Sequence, residues 1–198
     1  MIKGKEETIE NIKQAALEEF YDNGYAKASL RTICKRAGVT TGAMYFSFES
    51  KEALFRAILE PLVENYERML ARFMQMETEH ATEGPDIDIL LMRFILEHKK
   101  ETIIIMDKAQ GSCYASYRKK IEAMMEQLFF EYFQYRLQEP PDKGLMKILA
   151  RQRLDSCLEI VKEDYDMEYS LYLVKQTGIY AEGGTDRLIK SLRELHRN

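Results

Sequence analysis

Apolar residues recur at steps of three and four along almost the whole chain, and breakers are scarce: four prolines in 198 residues. That periodicity predicts an all-α protein. Ile9, Ile12, Ala16 and Phe20 make the apolar face of a first helix, which Asn23-Gly24 should end with Gly24 in a left-handed cap. Ser29 can cap a second helix over 30–37. Gly38 follows as a turn, and Thr40 or Thr41 can open a short third helix reaching Ser47. Ser50 caps a fourth helix, buried through Leu54, Phe55, Ile58 and Leu62, with a kink expected near Glu60 because Pro61 lacks an N–H. Residues 78–88 read as a loop. Further helices are expected over 87–98, 101–110, 115–138, 145–162 and 168–181. Gly183-Gly184 should then separate a last one over 186–195. The helix over 115–138 is apolar around its girth and should be buried. This divides the chain into a small domain, 1–50, and a larger helical body, 51–198.

Composition narrows the class. A hydrophobic fraction of 45% is too high for a disordered chain. No run of about 18 apolar residues could span a bilayer. The opening MIKGKEETIENIKQ has no apolar stretch after its lysines, so no signal peptide is expected. Three cysteines, Cys34, Cys113 and Cys157, lie far apart without a CxxC, as in a reduced, cytoplasmic protein.

The net charge of −4 gives no reason to expect nucleic acid until it is divided by region. Between Lys27 and Lys51 stand five basic residues (Lys27, Arg31, Lys35, Arg36 and Lys51) against one acid, Glu49. That segment carries +4, so the rest carries −8. A short basic segment on an acidic body suggests one small region that meets a polyanion.

The same segment holds a helix, a tight turn at Gly38 and a short second helix, the arrangement of a helix-turn-helix. The major groove is just wide enough for one α-helix. The groove-facing side of the third helix would come from Thr41, Gly42, Tyr45 and Phe46, with Val39 plugging inward. Small residues at Thr41 and Gly42 let the backbone approach closely, and amides at a helix start attract phosphate. Phe46 cannot hydrogen-bond a base, but it can touch a thymine methyl.

The run from Ala28 to Leu54, ASLRTICKRAGVTTGAMYFSFESKEAL, together with Ala16, Phe20 and Gly24-Tyr25, resembles the DNA-binding signature of the tetracycline-repressor (TetR) family of bacterial regulators. The resemblance covers about the first quarter of the chain. It implies a helix-turn-helix domain joined to a helical ligand-binding and dimerisation domain, and a homodimer on a palindromic operator in double-stranded DNA. By position, it implies DNA contacts from Ser29 and Arg31 at the start of the second helix and from Thr40, Thr41, Gly42 and Phe46 on the recognition helix. It also implies phosphate contacts from the Tyr45 hydroxyl and Lys51.

The acidic body is the expected sensor of a small-molecule effector. Met69, Phe73, Met92, Met106, Met125, Phe129 and Tyr132 are candidate lining residues, because methionine adapts to irregular apolar shapes. The helices over 145–162 and 168–181 are apolar on more than one side and are expected to form the dimer interface. No cofactor, metal or membrane partner is expected. Glu77-Thr78-Glu79-His80 is a lone E-x-x-H, where a di-metal bundle needs two, and GxSxG, P-loop and GxGxxG are missing. The reading is a ligand-responsive transcriptional regulator, a repressor by expectation. The alternatives are a helical metal-dependent oxidase and an apolar-ligand binding module that does not touch DNA.

Overall fold

The computed structural model describes the backbone of residues 2–78 and 87–195 and the side chains of 4–70 and 89–194. Among the described residues every regular element is a helix. They are α1 (Ile2–Lys27), α2 (Leu30–Ala37), α3 (Thr41–Ser47), α4 (Lys51–Thr78), α5 (Ile87–Glu97), α6 (Lys99–Asp107), α7 (Tyr117–Leu137), α8 (Lys143–Lys162) and α9 (Met167–Leu195). The chain falls into two compact units, one of residues 1–87 and 97–118, the other of 88–96 and 119–198.

In the first unit α1 packs against α2, α4 and α6, and α3 leans on α2. Ile12, Ala16 and Phe20 of α1 are fully buried with Ile33 of α2, Met44 of α3, Leu54, Phe55 and Leu59 of α4, and Ile104 of α6. Phe20 meets Phe55 edge-on at 4.8 Å between centroids, and Tyr25 lies 4.7 Å from Phe55. Such pairs add stability beyond the area they bury. Ile103, Ile104 and Ile105 are all buried in α6. Tertiary burial there outweighs the low helix propensity of three β-branched residues in a row.

In the second unit α8 packs on α9. Phe133 of α7, Met146 of α8 and Ile189 of α9 bury completely, wrapped by Phe129, Phe130, Leu137, Leu145, Leu149, Leu188 and Leu192. Arg136 donates to Asp186 at 2.9 Å, and Arg193 donates to the Arg136 carbonyl.

Three details depart from the sequence expectation. Gly24 has φ 71° but ψ 163°, a positive-φ conformation outside the left-handed cap region, and the helix kinks there. The helical hydrogen bonds resume just beyond it, with Ala28 N–H on the Gly24 carbonyl at 3.0 Å. As the expected kink allows, α4 continues as one helix through Pro61, with Leu54, Phe55, Leu59 and Leu62 buried on both sides of the proline. α9 runs as one helix through Gly183-Gly184. Two glycines cost about 1 kcal/mol each in a helix. Val174 and Ile189, buried to either side of them, tie both halves down. Finally, α7 is not buried all round: Tyr132 and Tyr135 are exposed, and Ile121 and Phe133 carry its buried side.

Candidate nucleic-acid interface

The helix-turn-helix is built from caps. The Ser29 hydroxyl accepts the Thr32 N–H at 3.3 Å and starts α2. Gly38 closes it at φ 68°, ψ 26°, a left-handed conformation that disfavours a side chain. Val39 N–H returns to the Cys34 carbonyl at 3.0 Å, completing the sharp reversal. Thr40 then caps α3, accepting the Ala43 N–H at 3.1 Å. α3 is anchored by one fully buried residue, Met44, with Phe48 buried just after it. Val39 is half-buried, and Cys34 is buried, which pushes its thiol pKa up.

The opposite side of α3 is open. Thr40, Thr41, Gly42, Tyr45 and Phe46 are all exposed. A Cβ added at Gly42 would meet nothing nearer than the Thr40 hydroxyl at 3.8 Å, so nothing inside the chain requires a glycine there. Tyr45 is 53% and Phe46 79% exposed. These two neighbours are the only large exposed hydrophobic residues of the first unit among the described residues. Exposed aromatics on an otherwise finished surface mark a contact face.

The basic residues divide into two groups. Lys27, Arg31 and Lys35 are exposed. Arg36, by contrast, is held by Asp22 at 3.3 Å and Glu19 at 3.7 Å. Lys51 is turned toward α1: its Nζ donates to the Ala28 carbonyl at 2.8 Å and the Ala26 carbonyl at 3.4 Å, 4.7 Å above the Tyr25 ring. Burial lowers its pKa, and the Glu19 charge opposes that. An ammonium has three donors, so Lys51 keeps one beyond this clamp.

Two acids hold this junction, and the first of them, Glu19, is not among the sequence candidates. Glu19 is 3% exposed and accepts the Ser29 N–H at 3.0 Å, fixing where α2 begins. Its register gives it away: it lies three residues after Ala16 and next to Phe20, on the apolar face of α1. Glu52, at the start of α4, accepts the Cys113 N–H at 2.8 Å and the Tyr25 hydroxyl. Burial alone would raise the Glu52 pKa, but those donors and the Arg56 charge bring it below the ordinary value. Burial and Glu52 together push Tyr25 up to about 12.

Residues 12–58 match the family described as bacterial regulatory proteins, tetR family. Over that segment the chain is similar to the tetR family. The HTH-type transcriptional regulator UidR of Escherichia coli (strain K12) is 43% identical over 68 residues, which are 34% of this chain and 33% of that protein. The chain thus spans about a third of the length of the curated relatives it matches first. Two solved structures share the fold over nearly the whole chain. A TetR-like transcriptional regulator from Rhodococcus sp. RHA1 has a TM-score of 0.60 at 15% identity, covering 90% of this chain and 96% of that one. NalD, the secondary repressor of the MexAB-OprM multidrug efflux pump in Pseudomonas aeruginosa, has 0.58 at 20%, covering 90% and 97%. An N-terminal helix-turn-helix followed by a larger helical region is therefore the architecture.

The expected lining residues do not share one unit. Met69 and Met106 lie in the first, half-buried and buried. Met92 (buried), Met125 and Phe129 (half-buried) and Tyr132 (exposed) lie in the second. The side chain of Phe73, and the Glu77–His80 motif, lie outside the described side chains. The α7–α8 cleft of the second unit is charged instead, lined by Lys119, Glu122, Glu126, Lys147 and Arg151 around Ala123. Among the described residues no helix is long and apolar enough to cross a membrane.

Proposed function

We propose that this protein is a ligand-responsive, DNA-binding transcriptional repressor that binds a palindromic operator as a homodimer and is released by a small apolar molecule. The observation that carries the reading is the exposed face of α3, with Tyr45 and Phe46 solvated while Met44 anchors the opposite face. A helix so held presents its free side to a groove. Residues 1–50 serve as the DNA-binding domain and 51–198 as the ligand-binding and dimerisation domain. Ser29, Arg31, Thr40, Thr41, Gly42, Tyr45 and Phe46 contact DNA, and Lys51 joins them through its remaining donor. The protein works in the cytoplasm, where its operator is.

Dimerisation draws on the exposed row along α8 and α9. Tyr165, just before α9, and Tyr169, Tyr172 and Ile179 within it step by four, three and seven, and Ile148 of α8 and Tyr180 of α9 are also open, all at least 44% exposed. Tyr169 stacks on Tyr172 at 6.0 Å. An apolar stripe at that spacing seeks a second helix. The effector occupies the methionine- and aromatic-rich helical body and acts only through its different affinity for two conformations.

A gel shift on the DNA upstream of the protein's own coding sequence tests the reading. Specific, salt-sensitive binding that an apolar effector releases is expected. Absence of such binding there and at neighbouring promoters would overturn it.

A further inference from the structure

The recognition helix, TGAMYFS, carries no charge of its own. A helix entering the groove between two phosphate rows needs cations at its flanks. Two of the five basic residues in the neighbouring segment are already engaged within the protein, Arg36 by acids and Lys51 by carbonyls. The structure brings a different cation to α3. Lys5, on α1 and outside the +4 segment, sets its Nζ 5.2 Å from the centroid of the Phe46 ring. Lys5 is exposed, and although Glu6, Glu7 and Glu10 are its sequence neighbours, it forms no ion pair among the described residues. The aromatic face holds the ammonium by its quadrupole without neutralising it.

We infer that Lys5 is a phosphate-contacting residue of the DNA interface, carried to the edge of the groove by its seat on Phe46. This rests on the DNA-binding reading and adds α1 to the DNA-facing elements. Phe46 thereby has two roles, apolar contact inside the groove and a platform for a cation at its rim. Both side chains are exposed, so removing either leaves the core intact.

The test is the salt dependence of affinity for wild type, Lys5→Ala, Lys5→Arg, Phe46→Ala and the Lys5→Ala/Phe46→Ala pair. The probes are upstream DNA and sheared mixed-sequence duplex, since phosphate contacts do not depend on sequence. Lys5→Ala is expected to make the slope of log affinity against log salt shallower by about 0.9 per protomer on both probes. Melting temperature should stay unchanged, and Lys5→Arg should restore the slope. The double variant should lose less than the sum of the singles, because Phe46→Ala already unseats Lys5. An unchanged slope in Lys5→Ala, with wild type bound, overturns the inference and leaves the DNA-binding reading standing. Strictly additive losses also overturn it. Failure of wild type to bind either probe overturns both.

Discussion

The two units bury apolar surface to different degrees. The first closes nearly all of it: Phe20, Phe55, Ile12, Ile33, Met44, Leu54, Leu59 and Ile104 are fully buried, and its large exposed hydrophobics among the described residues are Tyr45 and Phe46. The second leaves Leu90, Tyr132, Tyr135, Ile148, Tyr165, Tyr169, Tyr172, Ile179 and Tyr180 in solvent. A surface finished except for two adjacent aromatics is built to touch something briefly and polar. One carrying rows of uncovered tyrosine and isoleucine is built to be covered. On the proposed function, the difference separates the face offered to DNA from the face offered to a second copy.

The sharpest way to break that contrast is to charge the tyrosine row. Tyr169→Glu with Tyr172→Glu should convert dimer to monomer in sedimentation while helix content stays constant, since both side chains are exposed. A persisting dimer would move the interface elsewhere. Next in size is Phe55→Ala, which removes the ring that Phe20 and Tyr25 pack upon. It should cost about 3–5 kcal/mol by denaturant unfolding. Truncating exposed Tyr135 should cost far less.

Smaller effects separate contact from support at the DNA face. Tyr45→Phe should weaken binding to all sequences alike, by about 1.5–3 kcal/mol if its hydroxyl meets a phosphate, with no change in melting. Lys51→Ala should lower both affinity and melting temperature, because its ammonium also holds the carbonyls of Ala26 and Ala28. Unchanged melting in Lys51→Ala would remove its role as a clamp.

The smallest effect is a pH dependence confined to the first unit. The Tyr25 pKa is raised from 10.0 to about 12 in the folded protein. The folded state therefore holds that proton more tightly than the unfolded chain does. Its contribution to stability is complete below about pH 10 and is lost as pH rises toward 12. Melting temperature measured across that window should fall less steeply in Tyr25→Phe than in wild type.

Much of the helix-turn-helix was legible in the chain because it is written locally. Ser29, Gly38 and Thr40 set their helix ends through bonds to residues three to five positions away, and the structure has those ends where the caps put them. Local chemistry misled where burial overruled it. Gly183-Gly184 is a breaker by propensity, yet α9 passes through it because buried residues on either side hold both halves. Gly24 stands out in the sequence for its freedom, but its conformation answers to a distant partner. A Cβ there would stand 3.3 Å from the Lys108 carbonyl, which also accepts the Tyr25 N–H at 2.8 Å.

By itself, then, the sequence determined the helical class, the tight reversal at Gly38 and the identity of the exposed residues on α3, because period and capping act within a few residues. Only the tertiary structure decided which charges are available. It committed Arg36 to Asp22 and Glu19, clamped Lys51 to α1, buried Glu19 beneath Ser29, and set Lys5 on Phe46. A count along the chain sees only net charge. Whether a cation faces solvent or a carbonyl depends on what the fold brings within about 4 Å of it.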